Sequence, residues 1–368
     1  MGHLRISALS RDSRVTQGRP RGRPCRRFEK YSPDNGAIGM EIGCRVNTRP
    51  SPGGRSSPAS LGPDWGASSG VTARVTNEPE LRAALANTAV TNIEVLNDID
   101  VTTDATTLDL VIGRGVSISS DSSTSRELTA NALTITGNGV TLSHLVIPNA
   151  VTVPGADNLL IMNTSLGGNG PAFAITITGG DTTRIWDSRI AGSVGVKAQT
   201  GAFVQLRGCT VTPASGAIVT GATMELEDGT FHSTALGVNV ADGLLDIDGT
   251  LFLSATGVTM NTTGTGDSLT IDGARFESAD LGVALTGTVA PYVAITDTLF
   301  VASDVGIDFG YAFAAWTATL TGNSFFGDEL SDIGIRATTA SSTPSLKTTW
   351  QGANTFLRYG SGKDIVYP

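Results

Sequence analysis

A chain of 368 residues with 45 glycines and only 16% charged side chains is long enough for one large domain or two ordinary ones. It is no coiled coil, whose composition is dominated by Ala, Glu, Lys, Leu and Arg. No apolar run approaches the roughly 20 residues of a membrane-spanning helix, and three cysteines without a CxxC spacing supply neither a disulfide framework nor a zinc site.

Charge divides the chain. Residues 1–70 hold 12 basic and 5 acidic side chains, whereas residues 71–368 hold 13 basic and 29 acidic ones. The first segment is rich in Arg, Pro, Gly and Ser, as in GRPRGRPCRR from Gly18 to Arg27, and shows no hydrophobic period. It is read as disordered, because it cannot bury enough apolar surface to offset chain entropy. A basic tail of this kind can bind nucleic acid, but no aromatic interleaving supports that here. Arg26-Arg27-Phe28-Glu29-Lys30 resembles a twin-arginine signal without the apolar stretch that must follow, and no Sec-type core of about 7–15 apolar residues is present. The plainer reading is an unstructured leader, or sequence upstream of an internal start such as Met40.

Residues 71–368 form the second unit. Near Asn77, a short helix is expected over Asn77–Ala86, with Asn77 as N-cap, Pro79 in the first turn, and Glu78 and Glu80 at the positive end of its dipole. Leu81 and Leu85, four apart, would press onto whatever follows. From Thr141 onward an apolar pair recurs: Leu142/Ile147, Ile161/Leu166, Ile185/Ile190, Leu206/Val211, Leu226/Phe231, Ile247/Phe252, Ile271/Phe276, Ile295/Phe300 and Leu320/Phe325. Successive first members lie 19, 24, 21, 20, 21, 24, 24 and 25 residues apart. A Gly or Ala before a β-branched residue follows each later pair, at Gly195, Ala217, Gly237, Gly257, Gly282, Gly306 and Gly334. A period of this length signifies a solenoid or array.

Within each repeat the apolar residues alternate, as in Leu269-Thr270-Ile271, which is the period of a strand. No window from Val90 to Pro368 sustains a helical stripe. Two or three short strands per repeat, separated by turn residues, would stack in parallel about 4.8 Å from their equivalents in the next coil. Parallel crossovers are overwhelmingly right-handed. The fold class is therefore all-β: a right-handed parallel β-helix of about ten coils with a short N-terminal capping helix. Inward columns of Leu/Ile and then Phe would fix the register, each side chain contributing roughly 1.5–3 kcal/mol on burial. The glycines of the second mark suit a tight bend or a φ > 0 corner. Trp350, Phe356, Ile365, Val366 and Tyr367 should close the far end, where the spacing stretches as in an atypical terminal repeat.

The stretch Asn92-Ile93-Glu94-Val95-Leu96-Asn97-Asp98-Ile99, with the helix before it, resembles the opening of pectate-lyase-like (pectin lyase fold) parallel β-helix proteins, as does LTITGNGVTLSHLVI from Leu133 to Ile147. The resemblance covers residues 71–368 and is specific for fold, not chemistry, since that superfamily contains lyases, hydrolases, tailspikes and noncatalytic surface proteins. The Asn-Thr-Asp, Asp-Asp, Gly-His-Gly and Arg-Ile-Lys elements of its polygalacturonase-like hydrolases are missing. Ile185-Trp186-Asp187-Ser188 matches part of a Trp-Ile-Asp-His element of its pectate lyases but lacks the histidine, and their Arg-x-Pro-x-x-Arg element is absent.

One constellation remains. Equivalent outward positions hold Trp186, Arg207, Glu227, Asp248, Asp272, Thr296 and Thr321 in one row and Arg184, Gln205, Glu225, Asp246 and Thr270 in the other. Glu225, Glu227, Asp246, Asp248 and Asp272 would make an acidic patch flanked by Arg184 and Arg207. Carboxylates stacked about 5 Å apart repel, so a cation would relieve them, and calcium with its 6–8 oxygen ligands suits the patch. In the lyases this fold resembles, calcium bridges an acidic sugar while an arginine removes a proton, the role Arg207 would take. The plainer reading is a solvated acidic face, with Trp186 an exposed strand aromatic able to stack on sugar. Thr134/Thr136, Thr141/Ser143 and Thr176/Thr178 could form a hydroxyl ladder, His144 and His232 have no assigned role, and Cys209 reads as an unreactive thiol in a turn.

Two functions stay open. One is an exported or surface-displayed, noncatalytic β-helix that presents a rigid face to a polysaccharide or a surface protein and requires no cofactor. The other is a polysaccharide lyase or related carbohydrate-active enzyme using calcium and Arg207 on acidic glycans. The acidic second unit makes nucleic acid an unsuitable partner for it.

Overall fold

The computed structural model describes residues 70–103, 109–167, 173–180, 182–277, 280–289, 291–301, 304–310, 318–327, 329, 332–337, 344–359 and 363–366. The basic segment over residues 1–69 and Tyr367 lie outside the described residues. The rest is a parallel β-solenoid whose strands stack in three columns, and every pairing between coils is parallel. The first column includes Phe173–Thr178, Val194–Gln199 and Leu281–Gly287; the second includes Thr183–Trp186, Phe203–Arg207 and Ser268–Asp272. The third is a 12-stranded sheet of short strands such as Arg189–Ile190 and Thr230–Phe231. In two coils the first and second columns are one 13-residue strand, Ser215–Glu227 and Leu236–Asp248.

Register follows the apolar pairs. Leu142 faces Ile161, Ile161 faces Ile185, Ile185 faces Leu206, and the column runs on through Leu226, Ile247, Ile271, Ile295 and Leu320. All are buried in one continuous core. A one-residue slip would turn this whole set outward.

From the coil of Leu142 to that of Leu320, each coil turns between the second and third columns on a single residue in the left-handed region. The positions are His144, Asn163, Asp187, Gly208, Asp228, Gly249, Gly273, Asp297 and Gly322, with φ between +47° and +73°. Asn, Asp and Gly adopt that conformation at least cost, which explains the residue choice two positions after each Leu/Ile of the column. The residue after the bend points inward, and it is often small and polar. Thr164, Ser188, Thr250, Thr298 and Asn323 are buried there. Their side chains satisfy turn backbone: Ser188 Oγ donates to the Trp186 carbonyl (2.7 Å) and accepts from the Thr164 amide (3.1 Å), and Asn323 Nδ2 donates to the Ile295 carbonyl (2.8 Å). Cys209 occupies the same corner, and burial pushes its thiol up to about 11, so it is inert at neutral pH.

The third column fills with a stack of phenylalanines. Phe231, Phe252, Phe276, Phe300, Phe325 and Phe356 lie ring on ring, with centroids 4.7–5.2 Å apart. From Gly237 to Gly334 the glycines of the second mark sit against these rings, while Gly195 sits against Val211 and Pro213. Their φ is not in the left-handed region, which corrects the φ > 0 expectation. The actual reason is space: a Cβ on Gly237 would lie 2.7 Å from Phe252 Cδ1, and one on Gly306 2.7 Å from Phe325 Cδ1. One coil of the mark is also shifted by a residue. Val196 pairs with Ala217 and Ala217 with Val238, so Gly216 holds the glycine position and Ile218 faces outward.

Helix α1 (Glu78–Ala86) covers the first coil. Asn77 Oδ1 accepts from the Glu80 amide (3.1 Å), and Glu80 Oε2 accepts from the Thr76 amide (2.7 Å), a reciprocal N-terminal cap. Leu81 is fully buried and Leu85 partly so against the core. The other end of α1 is held from the next coil. Arg114 donates through Nε to the Leu85 carbonyl (2.9 Å), through Nη2 to Ala84 (2.9 Å) and Asn87 (3.0 Å), and through Nη1 to Val90 (2.6 Å). At the far end a second helix, α2 (Pro344–Ala353), interrupts the strand pattern where no helical stripe was expected. It absorbs the stretched final spacing and buries Trp350 against Phe309, centroids 5.4 Å apart. Among the described residues no helix is long and apolar enough to cross a membrane.

Candidate functional site

The outward face of the second column carries the two expected rows. Trp186 pairs with Arg207, Arg207 with Glu227, Glu227 with Asp248, and Asp248 with Asp272, which faces Thr296. In the other row Arg184 pairs with Gln205, Gln205 with Glu225, Glu225 with Asp246, and Asp246 with Thr270. The five carboxylates therefore share one sheet face over three successive coils, with the arginines toward the N-terminal side.

Neutralising contacts occur at the edges of this patch. Arg207 Nε lies 3.5 Å from Glu227 Oε2, Gln205 Nε2 donates to Glu225 Oε2 (3.2 Å), and Thr296 Oγ1 donates to Asp272 Oδ1 (2.7 Å). In the middle, like charges adjoin. Glu225 is held above the ordinary carboxylate range, first by loss of hydration and then by Asp246 and Glu227, with Gln205 and Arg184 opposing. Asp246 is raised as well, first by loss of hydration among the neighbouring coils and then by Asp248 and Asp272.

A raised folded-state carboxyl binds protons that the unfolded chain has already released. Stability then falls as pH rises through that window and is recovered on mild acidification. Asp242, Asp100 and Asp121 are shifted the other way by hydrogen bonds, chiefly from Thr263, Thr102 and Ser123 respectively, and their contribution is lost as pH falls through their lowered values. Thermal unfolding across pH should therefore show a maximum at mildly acidic rather than neutral pH. Asp246→Asn should raise stability at pH 7 by a few tenths to about 1 kcal/mol, the scale of solvent-screened charge interactions, and flatten the neutral limb of the profile. An unchanged profile in that variant would dismiss the repulsion.

Trp186 is half-buried between Met162 and Arg207 rather than an exposed aromatic, and its Nε1–H is buried without a partner. Arg184 is half-buried and Arg207 exposed. Among the described residues no group of three or more His, Cys, Asp or Glu side chains is arranged to hold a metal ion, the carboxylates being spread along a sheet instead of converging. The threonine ladder divides between columns: Thr134, Thr152 and Thr176 run down the first, while Thr141 stands in the second opposite Leu160. His144 is the left-handed residue of its bend (φ +57°), which gives it a structural position that sequence reading missed.

Residues 72–212 match the family model described as "Putative pectate lyase-like adhesive domain". Over that span the chain is similar to an adhesive domain. The match takes in α1, the early coils, Arg184, Trp186 and Arg207, and ends before Glu225. No curated protein matches the chain. Among solved structures, the Streptococcus pneumoniae surface protein and adhesin PfbA is similar at 10% identity, over 78% of this chain and 94% of that one, with a TM-score of 0.47. The catalytic domain of a GH87 α-1,3-glucanase variant in complex with nigerose is similar at 9% identity, over 81% and 67%, with a TM-score of 0.39. At these scores neither likeness bears on function.

Proposed function

We propose that this protein is a surface-displayed adhesive module, in which a noncatalytic β-solenoid holds a rigid face toward a polysaccharide or a surface protein. The observation that carries the reading is the match of residues 72–212 to an adhesive domain. The solenoid supports it physically: side chains on stacked parallel strands are fixed in spacing and direction, so little ordering entropy is lost on contact. Under the lyase alternative, Arg207 would take the proton and Asp248 and its neighbours would hold calcium. Arg207 instead lies exposed on an open sheet face, 3.5 Å from the Glu227 carboxylate.

The test uses the full chain. Incubation with pectate and with alginate, each with and without calcium, should release no unsaturated uronide absorbing in the ultraviolet, while the immobilised chain retains polysaccharide or matrix protein. Uronide release that disappears in Arg207→Ala and Asp248→Ala would replace the adhesive reading with the enzymatic one.

A further inference from the structure

Away from the acidic face, the bends of the early coils form a shallow groove of about 430 Å³, lined by Ser122, Ser125, His144, Val146, Asn163, Ser165, Asp187 and Arg189, among others. Its geometry is two parallel rows. His144, Asn163 and Asp187 are the left-handed bend residues of three successive coils. Val146, Ser165 and Arg189 stand beside them in the third column, where Val146 pairs with Ser165 and Ser165 with Arg189. Ser122 and Ser125 close one end.

We infer that this groove is a saccharide-binding subsite of the adhesive module, an inference that rests on the adhesive reading above. Three observations point to it. First, glycine suits the bend, as at Gly249 and Gly273, yet among the described residues three successive coils carry side chains there only at His144, Asn163 and Asp187, with Asp187 Oδ1 lying where a Cβ on Gly208 would come within 2.5 Å of it. Of the three, His144 carries the larger backbone cost there, since Asn and Asp enter that conformation more readily. Second, the side chains of Asn163, Asp187 and Arg189 are exposed and, among the described residues, engage in no hydrogen bond or ion pair. Asp187 and Arg189, opposite in charge and two residues apart, are not paired with each other. Third, the groove offers an acceptor-only carboxylate, a donor-only guanidinium, an amide and three serine hydroxyls. That mixture matches vicinal sugar hydroxyls, each of which both donates and accepts. Asp187 and Arg189 together leave the groove without the net positive charge that would select a polyanion. A protein partner would need more area than this groove gives, and large aromatic anchors that its lining does not include. Its volume is within the range of small-molecule sites.

The bend also supplies a clean test, since glycine fits it. The full chain is presented to an array of neutral and acidic oligosaccharides, and the tightest is titrated by calorimetry. Asp187→Gly and Asn163→Gly should each weaken binding at least tenfold, as should Arg189→Gln, whose backbone is undisturbed. Asp228→Gly, the same bend outside the groove, should bind as the parent chain does. Equal binding by parent, Asp187→Gly, Asn163→Gly and Arg189→Gln would overturn the groove while leaving the adhesive reading in place. No binding by the parent chain to any oligosaccharide would overturn the saccharide inference, and retention on matrix proteins would then separately decide the adhesive reading.

Discussion

Gly282→Ala should destabilise the solenoid by about 1–3 kcal/mol, the range for overpacking a filled core. A single methyl group there would lie 2.5 Å from the Gly306 carbonyl oxygen and 2.6 Å from Phe300 Cδ1. The backbone cannot retreat, because the equivalent glycine of the next coil is in turn pressed against its own phenylalanine. Gly352→Ala gives the contrast. That glycine lies in α2 with nothing within 4 Å of its would-be Cβ, so the change should be neutral or stabilising by up to about 1 kcal/mol. Denaturant unfolding of both variants decides between steric and conformational explanations. Pairing Gly282→Ala with Phe300→Leu should cost less than the two single changes added together, since the ring is part of the obstruction. Strict additivity would show that the glycine is there for another reason.

Arg114→Ala should cost about 2–3 kcal/mol, because one guanidinium satisfies four carbonyls at and after the end of α1. Charge-assisted hydrogen bonds are stronger than neutral ones, and the helix terminus adds its negative end. Losing the fork leaves those acceptors half-buried and loosens the helix that covers the first coil with Leu81. Hydrogen exchange of amides over residues 78–86 should accelerate before the rest of the solenoid opens. Arg114→Lys should fall between, since an ammonium cannot span the same carbonyls. Unaltered exchange over α1 in Arg114→Ala would refute the capping role.

The stacking was legible in the sequence because its cause is local and repeated. An inward Leu or Ile every 19 to 25 residues fixes the register, and every pair from Leu142 to Leu320 faces its expected neighbour. The carboxylate rows followed from that same register. What sequence reading lost were features whose partners are far apart along the chain. Arg114 is 24 to 30 residues from the carbonyls it holds, and nothing in its own surroundings marks it. Gly216 was displaced to Ala217 because Ile218 imitates the β-branched residue of the mark. The groove was missed since His144, Asn163 and Asp187 look like ordinary turn residues until three coils are laid side by side. Helix α2 escaped notice because a single ten-residue element leaves little period to detect.

The filling of the third column changes character along the axis. Ile147, Leu166, Ile190 and Val211 give way to an unbroken run of six rings from Phe231 to Phe356. Stacked rings add about 0.5–1.5 kcal/mol per contact beyond the area they bury. In a molecule whose coils touch only their neighbours, mechanical load would meet two springs in series. The aliphatic turns, which carry the span matched to an adhesive domain, would peel first, leaving the aromatic turns wound as the anchor behind them.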